Sequence, residues 1–160
     1  MRINMESNMK IIDSNRVRNL SIVFVALQLF AGNSIADSVG NEPEAVADGL
    51  HAALVAGNAE KVHELLDPQV LIFESGNVEQ SLEEYASHHM HSDMEFMAAI
   101  QREVISRKVI QSDDIAVVST RSRLTGTFGG KEIDINSTET LVLGITDQGW
   151  KIRHIHWSSG

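Results

Sequence analysis

His89 and Asp93 stand four residues apart in the segment Ser81–Ile100. An imidazole and a carboxylate at that spacing on a helix are neighbours and can touch. They make the pair that proton-transfer chemistry uses, the carboxylate orienting a ring that takes or gives a proton. The segment reads as helix. Ser81 is followed by Glu84 three residues on, a capping box. At 100° per residue, Leu82, Tyr85, Ala86, Phe96, Met97 and Ile100 fall within about 60° of one direction, with His89 and Asp93 about 20° to either side of it. Burying both groups costs free energy unless each is hydrogen-bonded. Three arrangements answer that cost. One is a buried pair that only ties the helix down. Another is a pocket-lining pair that contacts ligand or does acid–base work, beside Tyr85 and Phe96. The third is a metal site, for which no short ligand motif is present.

The C-terminal run Trp150–Ser158 holds a second cluster. Strict alternation puts Trp150, Ile152, His154 and His156 on one side, and Lys151, Arg153, Ile155 and Trp157 on the other. His154 and His156 are then either half-buried and hydrogen-bonded or part of a pocket wall, while Arg153, Ile155 and Trp157 suit a contact between copies. Glu74 ends an apolar strand and faces either solvent or the same pocket. His88, His89 and His91 look like a metal tract, but their phases spread around a helix, so they are not expected to converge on one ion. No metal or cofactor is expected.

The elements that position these residues follow from periodicity and turn chemistry. Asn41–Leu66 reads as helix, with Pro43 in the first turn and a break at Gly57-Asn58. Val70–Glu74 reads as a short strand. After the Ser81–Ile100 helix come four segments rich in Ile, Val and Thr: Val104–Ile110, Ile115–Thr127, Glu132–Ile145 and Trp150–Ser158. Helices followed by an antiparallel meander are an α+β domain, with the helices packed on one face of a curved sheet.

Composition narrows the function classes. The 160 residues carry 13 Lys+Arg against 22 Asp+Glu and no cysteine. Disulfides, thiolate metal sites and a Cys nucleophile are excluded, and an acidic chain without a basic stripe argues against a nucleic-acid partner. Arg2, Lys10, Arg16 and Arg18 precede the apolar run Leu20–Phe30, and Ser34-Ile35-Ala36 supplies small residues at a cleavage site. That is the order of a secretory leader, 1–36, with cleavage before Asp37 and a periplasmic or secreted product free of the membrane. Removing these 36 residues from the 160 leaves 124, residues 37–160, with a net charge of −11.

Three segments carry a family resemblance: Ala52-Ala53-Leu54-Val55-Ala56-Gly57-Asn58; Leu65-Leu66-Asp67-Pro68 with Val70; and Gly149 through Ser158. Their order and spacing resemble the nuclear transport factor 2-like superfamily, in its SnoaL-like branch, over Asn41 to Gly160. The last run also resembles the final strand of the calcium/calmodulin-dependent kinase association domain. The resemblance implies a cone-shaped, cystatin-like fold around an apolar cavity, and homodimers through the sheet. The superfamily holds isomerases, cyclases and dehydratases as well as non-catalytic binding domains, so fold leaves function open. The readings are an exported small-molecule-binding domain with His89, Asp93 and His156 as polar anchors, an enzyme with His89 as base and Asp93 orienting it, and a purely structural homo-oligomer.

Overall fold

A computed structural model describes residues 42–160; the expected leader and cleavage site lie outside the described residues. Four helices precede or interrupt a six-stranded sheet: α1 (Pro43–Val55), α2 (Ala59–Leu65), β1 (Leu66–Glu74), β2 (Asn77–Glu79), α3 (Leu82–His88), α4 (Met90–Ala99), β3 (Ile100–Gln111), β4 (Ile115–Phe128), β5 (Lys131–Thr146) and β6 (Gly149–Ser159). The strand order is β2-β1-β6-β5-β4-β3. β3 to β6 form the expected antiparallel meander, and β1 joins β6 in parallel. Gly129 and Gly130, both at positive φ, close the β4–β5 hairpin in two residues. α1 buries Val46, Ala47, Leu50, Ala53 and Leu54, and the inner face of the sheet meets the helices with Ala116, Val118, Leu141, Leu143, Ile152 and Ile155.

Two departures from the expected pattern decide which side chains meet. The Ser81–Ile100 segment is two helices, not one. It breaks at His89, and the buried residues run Leu82, Tyr85, then Met90, Met94, Met97. The five-residue step from Tyr85 to Met90 is about 140° on a continuous helix, so the break is what lets both turn inward. The buried face of α4 therefore centres on its methionines, about a quarter turn from the His89–Asp93 direction. His89 is exposed and Asp93 half-buried.

In β6 the pairing jumps from Leu143–Ile152 to Val142–His154, leaving Arg153 as a bulge. One extra residue reverses the alternation. Trp150 and Ile152 face inward before the bulge, and Ile155 and Trp157 after it. His154 and His156 go to the outer face, edge-on to Phe73 with ring centroids 5.1 and 6.3 Å away. The expected sidedness thus holds as far as Ile152 and inverts beyond it. Ile155 and Trp157 are not on the outer face. A second bulge at Ile105, between Val104–Ser122 and Ser106–Arg121, turns both Arg102 and Arg107 inward, although they are five residues apart.

Candidate functional site

Cross-strand pairing places Glu74, Trp157, Glu139, Thr120 and Arg107 in one row across the inner face. Glu74, Trp157 and Glu139 of this row line a cavity of about 320 Å³, whose apolar wall comes from Leu54, Phe96, Met97, Leu124, Phe128, Ile135 and Trp157. Its ionisable residues form two groups. Glu74 and Glu139 are two strand spacings apart, about 10 Å, with Trp157 on the strand between them.

The first group centres on Glu139, 4% exposed. Its Oε2 accepts hydrogen bonds from His51 Nε2 at 2.7 Å and Trp157 Nε1 at 2.8 Å, and its Oε1 faces Arg102 Nη2 at 3.7 Å. Burial is the strongest influence on this carboxyl and pushes its pKa up. The His51 and Trp157 hydrogen bonds and the charges of His51 and Arg102 outweigh burial and hold it below the ordinary range. An ionised carboxylate only accepts, so His51 Nε2 carries the proton, and in a neutral ring Nδ1 then carries a lone pair. His51 Nδ1, Arg102 Nη2 and Glu139 Oε1 are all buried without a hydrogen-bond partner among the described residues. Leaving such groups unmatched costs about 1–3 kcal/mol each. Behind this group Arg107 donates to Asp48 Oδ1 at 2.7 Å and to Thr120 Oγ1 at 3.2 Å, tying α1 to the sheet.

The second group is Glu74, Asp93 and Tyr85. Tyr85 Oη donates to Asp93 Oδ2 at 2.9 Å. Burial raises the Asp93 carboxyl despite that hydrogen bond, and raises Glu74, helped by the charge of Asp93. Both carboxyls line the cavity and hold a proton to higher pH than carboxyls in water. Tyr85 is buried, its phenol pushed up by desolvation and by Asp93.

The expected site residues therefore separate. Glu74, Asp93 and Phe96 line the cavity, and Tyr85 holds Asp93 from behind. His89 does not hydrogen-bond to Asp93; its Nδ1 meets Glu79 Oε1. His154 and His156 are not among the lining residues and sit on the outer face. The group around Glu139 went unread, although its signals are present. Glu139 shares parity with Ile133, Ile135, Leu141 and Leu143, and His51 follows Ala47 by four residues and precedes Leu54 by three. Arg102 was hidden by the bulge.

The chain matches the SnoaL-like domain family over residues 44–160. It is similar to a candidate ketosteroid isomerase from Shewanella frigidimarina at 41% identity, covering 71% of this chain and 91% of that one with a TM-score of 0.69. A candidate calcium/calmodulin-dependent protein kinase II association domain from Xanthomonas campestris is 27% identical, covering 73% and 84%, TM-score 0.63. A candidate dehydratase of the nuclear transport factor 2-like family from Streptomyces avermitilis shares the fold at 21% identity, covering 78% and 98%, TM-score 0.62. No protein of curated function matches significantly.

Proposed function

The chain belongs to the SnoaL-like domain family, and from that premise we propose that its cavity binds a small amphipathic molecule. The observation that carries this reading is the trio of unmatched buried polar atoms around Glu139, beside the apolar part of the cavity wall. A ligand hydroxyl answers two of them at once, accepting from Arg102 and donating to Glu139 Oε1, while the apolar body lies against Phe96, Leu124 and Trp157. Native mass spectrometry of protein purified from its host tests the reading. A bound small molecule in the wild type, lost in Arg102→Leu, is expected. A wild type that carries none, and whose tryptophan fluorescence answers no hydroxylated apolar compound, overturns this reading.

A second reading is a proton-transfer enzyme of isomerase or dehydratase type. It is favoured by the raised carboxyl of Asp93 at the cavity wall and by the similarity to the candidate ketosteroid isomerase. Asp93 is then the base, and Tyr85 positions it. Turnover of an enolisable ketone that Asp93→Asn abolishes distinguishes catalysis from binding.

Two further parts of the proposal concern setting. The protein is exported, periplasmic or secreted, once the leader is removed before Asp37. It is a homodimer through the outer face of the sheet, where Leu71, His154, Val142, Val117 and Ile110 form one cross-strand row with Phe73 beside it; Phe73 and Ile110 are exposed.

A further inference from the structure

At the β2–α3 corner, away from the Glu139 group, Glu79 is a carboxylate whose side chain is only 7% exposed and whose ion-pair partners among the described residues are both histidines. His88 Nδ1 lies 3.4 Å from Glu79 Oε2, and His89 Nδ1 meets Oε1. Consecutive residues of a regular helix point 100° apart. The break at His89 brings both rings to one carboxylate, against the expectation that these histidines diverge. Glu84 stands beside them. Its Oε2 is fixed by the Gln80 backbone N–H at 2.6 Å, and Ser81 caps the same turn by accepting from the Glu84 N–H. Ligand atoms of Glu79, Glu84 and His88 all lie within 4.8 Å of one another.

We propose that Glu79, Glu84 and His88 bind a divalent transition-metal ion of the zinc class, with His89 holding the second oxygen of Glu79. Two observations point to an ion rather than to a plain salt bridge. The first is distance. At 3.4 Å the His88–Glu79 contact is longer than a good hydrogen bond, yet two ligands bonded at 2.0–2.2 Å to one tetrahedral ion are about 3.4 Å apart. The second is charge. Glu79 and Glu84 are like charges, one of them buried, and no Lys or Arg among the described residues pairs with either. A divalent cation removes that repulsion. The imidazole selects a borderline metal over calcium or magnesium, which prefer oxygen alone. His89 acts through Glu79, fixing the carboxylate as an outer partner does in known zinc sites. Three protein ligands leave a fourth position for solvent.

Zinc chloride titrated into the purified, tag-free protein, in competition with a chromophoric chelator at neutral pH, tests this. One equivalent per chain is expected, with tetrahedral absorption bands when cobalt(II) replaces zinc. His88→Ala and Glu84→Gln, both at accessible positions, should each weaken zinc at least tenfold. Glu84→Gln keeps an acceptor for the Gln80 N–H. His91→Ala, whose side chain is 85% exposed and pairs with Glu95 instead, should change it less than twofold. Equal affinity in the wild type and His88→Ala, or an equal loss in His91→Ala, would show scattered surface histidines and overturn the site. Should Glu79→Gln fail to fold, the two accessible variants decide.

Discussion

Glu139 and Asp93 are both carboxylates on a cavity wall, and their surroundings drive them in opposite directions. Glu139 has two hydrogen-bond donors and a guanidinium nearby, so its carboxyl lies below the ordinary 4.5. Such a group stabilises the fold fully above that value and loses the contribution as pH falls through the depressed folded value. Glu139→Gln should therefore flatten the acid limb of stability, measured by denaturant melts down the acid range; an unchanged limb assigns it to other carboxyls. Asp93 is raised from 3.8 by burial. Stability falls as pH rises from that ordinary value to the raised one, and the deficit then persists. Asp93→Asn should raise the melting temperature at neutral pH but not at about pH 3, where the wild-type group is protonated in both states; on the proton-transfer reading it also abolishes turnover. Tyr85→Phe removes the hydrogen bond that the Asp93 carboxylate accepts from the Tyr85 hydroxyl and should cost about 1.5–3 kcal/mol, the usual worth of a bond to a charged group; a loss below 0.5 kcal/mol, on the order of a surface change, would mean that water takes its place.

At the scale of elements, one-residue irregularities set the chemistry. The break at His89 swings the methionines of α4 into the core. The bulges at Ile105 and Arg153 decide which of the polar residues on β3 and β6 face inward. The α4–β3 junction is equally constrained. A Cβ on Gly126 would sit 2.8 Å from the Ala99 carbonyl oxygen and 3.0 Å from Ile100 Cα, both backbone atoms. Gly126→Ala should destabilise the fold by about 1–3 kcal/mol. Because Arg102 follows two residues after Ile100, the same change should weaken whatever the cavity holds. A variant as stable as wild type by chemical denaturation would show that the junction yields.

For the whole molecule, the cavity lies on the inner face of the sheet and the proposed dimer contact on the outer face, so the two proposals are tested separately. Phe73→Glu combined with Ile110→Asp puts charge onto the outer face and should convert a two-chain mass into a one-chain mass by light scattering, with the cavity intact. A wild type that is already monomeric at micromolar concentration removes the dimer. Under the proposed export, N-terminal sequencing of protein from its native host should find Asp37 first; a mature chain that keeps residues 20–30 overturns the leader.

Periodicity, caps and turn residues are enough to read α1 and α2, the capping box of α3, four long strands and the α+β class, and the family resemblance rests on three short segments. Each of these is local, or repeats over many residues, so a single chain carries the signal redundantly. They also place Asp93 and Phe96 on the helical segment that borders the cavity. They do not register a phase slip of one residue. Such a slip leaves the pattern on either side intact and reverses everything beyond it, as with His154, His156 and Trp157 after Arg153. The meeting of His51, Arg102, Glu139 and Trp157, from one helix and three strands, is a property of pairing register. Register is settled by burying the inner face of the sheet against the helices, and only the folded chain makes that choice.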